Sequence, residues 1–278
     1  MISCFHCKVE RRPAMKAFED YLRVQEYASN TIASYLFAAK QLEQRASSIT
    51  NQSLLEHKEW LVSSFAPKTA NNRIGAINVY LDYLGFPGMR LKGVKVQQKP
   101  FLNNVISNDE YRRLRDGLKR DEDWFWYFVV RFLACTGARV SELRKFEYAH
   151  VMAGYMDIVS KGQKLRRVYV PASLKSEALE WRAREGKVDG ILFGDRAALT
   201  SRGIALGLKR AAERYSVDPD VVYPHSFRHL FAKNFIAKNP DIAFLADLMG
   251  HGSIETTRIY LRRTAAEQRS AVDEAIDW

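Results

Sequence analysis

Cysteine is scarce in this 278-residue chain: Cys4, Cys7 and Cys135 are all there is. Three is too few for a disulfide framework, and odd besides. Long apolar runs are missing too. The most apolar stretch, residues 124–135, is interrupted by Arg131 and falls short of the roughly 20 residues a membrane-spanning helix needs. No apolar h-region stands near the N-terminus, so a secretory signal is not expected. No repeat and no low-complexity segment is visible, nor is any carboxylate cluster suited to Mg²⁺, so metal-dependent nuclease chemistry lacks its ligands. These absences lead us to expect a cytoplasmic protein with no membrane partner, no metal and no other cofactor.

Charge of both signs is present, but unequally. Forty-three Lys and Arg face 32 Asp and Glu, a net charge of +11 with a pI near 9.5. Such a balance favours polyanionic partners, nucleic acid before membrane. Residues 1–100 hold 14 basic and 8 acidic residues, net +6, and the remaining 178 hold 29 and 24, net +5. The first part is therefore nearly twice as basic per residue. Hydrophobic residues at 47% and charged residues at 27% are ordinary for a globular chain. The length suits two domains, or one large one.

Residues 85–100, GFPGMRLKGVKVQQKP, combine Gly and Pro with Arg90, Lys92, Lys95 and Lys99 and carry no acid. Gly and Pro break helix and strand alike, so the stretch reads as an extended basic connector. The expected organisation is a disordered extension over 1–14, a helical domain over 15–90, a linker over 91–100 and a larger domain over 101–278. Four short helices are expected in the first domain, with Phe18, Tyr21 and Leu22 on the first and Ile74, Ile77, Tyr80, Leu81 and Leu84 striping the fourth. In the second, helices are expected near 107–119, 123–136, 140–146, 173–185, 200–215, 225–237, 241–249 and 253–261. Between them YMDIVSKGQKLRRVYVP alternates and breaks at Lys161-Gly162, as a β-hairpin does. A short strand is expected over 191–193. The fold class is mainly α with a small β-sheet.

Four clusters in the larger domain carry chemistry. In TGARVSEL, Arg139 stands at a helix start and could offer a bidentate fork to a phosphate, with Glu142 three residues on to orient it; a plain surface salt bridge fits as well. Lys161 at the hairpin tip could enter a cleft as a mobile cation, or be an ordinary solvated turn with Lys164, Arg166 and Arg167 behind it. In HSFRH, His225 and Arg228 share a helical face while Phe227 points towards a core. His225 and His229 have the spacing of a zinc pair, but no Glu follows the first and Arg228 intervenes, which disfavours a cation. In LMGHGSIETTRIY, Gly250 and Gly252 bracket His251, Ser253 suits an N-cap and Tyr260 follows. Two Arg, two His and one Lys would serve a pentacoordinate phosphorane, and Tyr260 is the candidate nucleophile beside them. Cys4 and Cys7 make half a zinc site with no second pair at finger spacing.

In order and spacing these motifs, TGARVSEL, SKGQKLRRV, HSFRH, LMGH and IYLRR, resemble the tyrosine recombinases of the phage integrase family, in the minimal two-domain Xer-like or invertase-like form. The segments FEDYLRVQEYASNTIASYLFAAKQL and PKTANNRIGAINVYLDYL resemble that family's helical core-binding domain, SAM-like in fold. The resemblance spans about residues 15–265, without departure at any catalytic position. It implies an α+β catalytic domain in which Tyr260 attacks a scissile phosphate to give a 3′-phosphotyrosyl bond. Arg139 and Arg228 would clamp the non-bridging oxygens and His251 would add a hydrogen bond. Lys161 would protonate the leaving 5′-oxygen, and His225 would accept the tyrosine proton. It further implies double-stranded DNA sites, a homotetramer passing through a Holliday junction, and a C-terminal helix docking on a neighbouring protomer. Integration, inversion and resolution are all within this chemistry. Lys68, Asn71 and Arg73, near a helix start in the first domain, become candidate DNA contacts. The competing readings are a type IB topoisomerase and a DNA-binding factor without catalysis.

Overall fold

The computed structural model describes residues 11–96, 104–159, 165–194, 199–261 and 265–276, without the side chains of 11–14, 265–268 and 271. Cys4, Cys7 and Lys161 lie outside the described residues. The chain divides into two compact units, Met1–Gln98 and Lys99–Trp278.

The first unit is a four-helix array: α1 (Arg11–Val24), α2 (Ser29–Arg45), α3 (Asn51–Ser64) and α4 (Pro67–Tyr83). Local chemistry sets the starts. Thr50 caps α3 by accepting from the Ser53 N–H while Ser53 caps back, which satisfies two otherwise orphaned donors. Pro67 opens α4 at a position whose N–H would have no partner anyway. The first helix begins at Arg11, inside the segment expected as a disordered extension; Pro13 is tolerated there because a first-turn residue needs no amide donor. Phe18, Leu22, Leu42, Leu61, Ile77 and Leu81 are fully buried and form the core.

Within the stretch expected as an extended basic linker, residues 91–94 are fastened to α4. Asn78 donates to the Leu91 carbonyl (3.0 Å) and accepts from the Leu91 N–H (2.8 Å). One helical repeat earlier, Asn71 makes the same pair of bonds with Val94 (2.9 and 2.8 Å). The amide of Asn71, expected to meet DNA, is thus committed to the chain's own backbone.

The second unit contains α5 (Asn108–Arg120), α6 (Trp124–Thr136), α7 (Val140–Leu143) and α8 (Tyr148–Ala153), then strands β1 (Tyr155–Val159) and β2 (Leu165–Tyr169). It continues with α9 (Ala172–Arg184), α10 (Ser201–Arg214), α11 (Pro224–Lys238), α12 (Ile242–Met249), α13 (Ile254–Thr257) and α14 (Ala265–Ala275). Helix α6, WFWYFVVRFLACT, is apolar almost all round and accordingly central, packed by α5, α9, α10 and α11. The strands pair antiparallel from Tyr155↔Tyr169 to Val159↔Leu165.

Three expectations are corrected. Residues 191–193 form no strand. One isolated bridge joins Ile191 to Glu147, and Leu192 and Phe193 turn into the core instead of pairing further. Helix α8 was not anticipated; six residues are too few for a periodicity to show, and its start is secured by a reciprocal Glu147–His150 cap. The helix expected over 253–261 stops at Thr257, and Tyr260 lies in a 3-10 turn, Arg258–Leu261. A 3-10 turn projects side chains every third residue, so Tyr260 takes a different direction from the one an α-helix would give it.

Candidate active site

Three arginines from three elements converge on the C-terminal end of α12. Its last carbonyls lack helical partners and carry the negative end of the helix dipole. Arg166 of β2 donates to the Leu248 carbonyl (2.8 Å), Arg228 of α11 to that of Met249, and Arg139 to that of Gly250 (3.1 Å). Arg228 also donates to the Gly137 carbonyl (2.6 Å). Two left-handed glycines make the approach possible. Gly137 (φ +61°) ends α6 against the Phe231 ring, and Gly250 (φ +60°) ends α12 with the Arg166 stem so close that a Cβ would lie 2.3 Å from its Cδ. A side chain at either position would be strained and would also collide.

Glu142 is the carboxylate that Arg139 and Arg166 share. Its Oε1 accepts from Arg139 (2.8 Å) and Arg166 (2.6 Å), and its Oε2 from the Arg139 backbone N–H (2.7 Å) and again Arg166 (2.7 Å). Burial opposes its charge, but these donors and the Arg166 charge hold its pKa below the usual carboxylate range. Burial, then Arg139 and Arg166, press the Arg228 guanidinium down to about 9, which still leaves it charged at neutral pH. Among the described residues its Nε has no acceptor, a cost that an incoming anion oxygen could relieve. Arg139 keeps 37% of its side chain exposed.

His251 lies between this collar and the tyrosine. Its Nε2 stands 3.3 Å from Arg228 Nη2 and its Nδ1 2.8 Å from Thr257 Oγ1. A guanidinium only donates, so Nε2 is the acceptor and Nδ1 carries the proton to Thr257. Burial first, and then Arg228, Arg139 and Arg166, lower its pKa to about 4. A phosphate beside the collar would reverse the charge part of that shift and favour the protonated, donating form. The Tyr260 ring lies nearly parallel to His251 at 6.1 Å and is 4% exposed. Burial raises its pKa, while Arg228, which hydrogen-bonds to the phenol, and Arg139 pull the other way.

The sequence motifs therefore meet in space in part. Arg139, Glu142, Arg228, His251 and Tyr260 share one site. His225 is exposed and contacts His229 (ring centroids 5.2 Å), and it is His229 that lies 5.2 Å from Tyr260. Among the described residues no group of His, Cys, Asp and Glu is placed to hold a metal ion, the His225–His229 pair included. Lys68 is exposed on the first unit. Arg73 lies flat over Phe65 (3.8 Å) and donates to Gln41 (2.8 Å), which stiffens it. The buried role of Arg166 was missed. The period-two pattern of β2 contained the signal, since Arg166 shares its face with Val168 while Leu165, Arg167 and Tyr169 face out.

The sequence model of the phage integrase family matches residues 104–267. The tyrosine recombinase XerA of Pyrococcus furiosus is 26% identical, over 96% of this chain and 96% of its own length. A tyrosine recombinase XerC of Erythrobacter litoralis is 27% identical, over 94% and 92%. Among solved structures, XerA recombinase aligns with a TM-score of 0.52 at 21% identity, covering 96% of this chain and all of that one. A λ integrase tetramer bound to a Holliday junction aligns at 0.70 and 15% identity, covering 94% and 80%. At these identities the structures speak for the fold.

Proposed function

This chain belongs to the phage integrase family, and from that premise we propose that it is a site-specific tyrosine recombinase cutting DNA through Tyr260. The observation that carries the reading is the arginine collar, which holds a concentrated positive charge against a buried phenol, with Arg228 hydrogen-bonded to it. The Tyr260 oxygen attacks phosphorus in line with the 5′-oxygen, the bond to that oxygen breaks, and a 3′-phosphotyrosyl ester forms. Negative charge grows on the non-bridging oxygens, where Arg139 and Arg228 stand preorganised. His251, re-protonated as the phosphate arrives, adds a further donor. His225 takes the phenol proton; being exposed, it suits this task better than His229, whose pKa burial and then His225 and Arg228 lower to about 4. Lys161, outside the described residues, carries by resemblance the proton for the 5′-oxygen. Because the ester keeps the energy of the bond it replaced, rejoining to another strand needs no ATP.

The partners follow from the same reading: double-stranded DNA sites, and four copies on two synapsed sites, as λ integrase stands on its junction. The C-terminal segment supports docking on a neighbouring copy. Val272 and Ile276 are 55% and 52% exposed. Residues 265–278 contain Arg269 against Glu267, Asp273, Glu274 and Asp277, a net of −3 on a chain of +11. An acidic segment is repelled by DNA and attracted to a basic protein surface. Lys68 and Arg73 are the proposed DNA contacts of the first unit.

The test is covalent capture on genomic DNA of the source organism in EDTA, with Tyr260→Phe alongside. Detergent-stable adducts from the native protein alone are the expected result, and their sequences locate the site. Binding without adducts from either protein would favour a silent DNA-binding factor.

A further inference from the structure

We infer that Arg166 is a positioning residue for strand cleavage: from strand β2 it fixes the Glu142 carboxylate and the end of α12, and through them the places of Arg139 and His251. This rests on the reading that Arg139 and His251 meet the scissile phosphate.

The geometry is that of a keystone. One Arg166 nitrogen spans both oxygens of Glu142 at 2.6 and 2.7 Å, and the same carboxylate turns the Arg139 guanidinium (2.8 Å) and holds its backbone N–H (2.7 Å). Its Nε grips the Leu248 carbonyl at 2.8 Å, three residues before His251. Its stem fills the space beneath Gly250 that a side chain there would need. Only 3% of the Arg166 side chain is exposed, so it touches no substrate itself.

Stability alone does not call for an arginine here. Removing such a charge from water costs several kcal/mol, and apolar replacements of buried ion pairs are often as stable or more so. The cost is compounded by company, because Arg139 and Arg166 divide one carboxylate, Glu142, between them, and both repel Arg228 beside them. An arrangement that is unfavourable until an anion arrives, and favourable once it does, serves binding of charge in the transition state rather than the resting fold.

The experiment is single-turnover cleavage of a nicked synthetic duplex carrying the recovered site, with either the natural scissile phosphate or a neutral methylphosphonate in its place. Arg166→Met keeps the volume and removes the charge and the donors. We expect it to slow cleavage of the natural substrate by about 100-fold, the scale of one lost oxyanion donor, with affinity for an uncleavable duplex within a few-fold of native. On the methylphosphonate the deficit should shrink at least tenfold, because a neutral group needs less help from the collar. A purely structural defect would slow both substrates equally, and that result, or native-like cleavage, would overturn the proposal. Arg139→Ala separates the layers. If it is not relieved by the methylphosphonate, the clamp reading itself fails; if it is relieved and Arg166→Met is not, Arg166 alone is misassigned. Should Arg166→Met fail to fold, Glu142→Gln cuts the same link between Arg166 and Arg139, and must show the same selective relief.

Discussion

Burial and charge conflict at a histidine outside the arginine collar. His57 sits 2% exposed in the core of the first unit, its ring tilted against Trp60, and among the described residues neither ring nitrogen has a hydrogen-bond partner. Burial, with Arg45 and Arg73 nearby, lowers its pKa to about 4. An unfolded histidine titrates near 6.5, so between pH 6.5 and 4 the unfolded chain binds the extra proton and stability falls as pH falls. At pH 5 that loss is about 2 kcal/mol for this residue, on the linkage relation. His57→Leu removes both the proton linkage and two unpaired buried polar atoms. We expect it to stabilise the first unit by about 1 kcal/mol at pH 7.5, and by clearly more at pH 5. Thermal unfolding of both proteins at the two pH values checks this, and an equal or reversed difference at pH 5 would count against it. None of this was legible from the sequence, where nothing local to His57 marks it as buried.

Helices were the easiest elements to anticipate, because their apolar spacing and caps are local. Ser107 and Glu110 form a reciprocal cap at α5, and Ser253 caps α13. The short pieces were not legible: α8 is held by a cap and by tertiary packing, and among the described residues 191–193 finds only the single bridge from Ile191 to Glu147. The extended segment after α4 is the most instructive case. Gly and Pro announced that it would be neither helix nor strand, but not that Asn71 and Asn78, seven residues apart on α4, would hold it. Asn78→Ala removes two hydrogen bonds to Leu91, a residue 9% exposed and part of the first core. At about 1 kcal/mol each in net terms, local opening should become easier by roughly tenfold or more. Trypsin should then cut after Arg90 and Lys92 correspondingly faster, as a time course on gels would show; an unchanged rate would mean that Asn71 and packing suffice.

On the scale of the whole molecule, the proposed docking of the C-terminal segment on a neighbouring copy can be tested by deletion. Among the described residues no helix is long and apolar enough to cross a membrane, and Val272 and Ile276 of the C-terminal segment are exposed. Deleting residues 265–278 takes the net charge from +11 to +14, since the segment contributes −3. Binding of one copy to a half-site should be undiminished, while the four-copy complex on two sites should be lost. Mass photometry on site-bearing DNA distinguishes the two, and a tetramer surviving the deletion would dismiss docking by this helix. The proposed chemistry was readable in one dimension as an expectation, because Arg139, His225, Arg228, His251 and Tyr260 lie in short motifs whose residue types suit phosphate and proton transfer. Helix caps and the hairpin were readable for the same reason: each depends on neighbours within a few residues. The collar was not. That Arg166, on a strand 24 residues from Glu142 and 82 from Leu248, is buried between them follows from long-range packing. So does the closeness of His229, rather than His225, to the Tyr260 ring. Which charges neutralise one another, and which imidazole keeps its proton, are decided by distance and desolvation, and those exist only once the chain has folded.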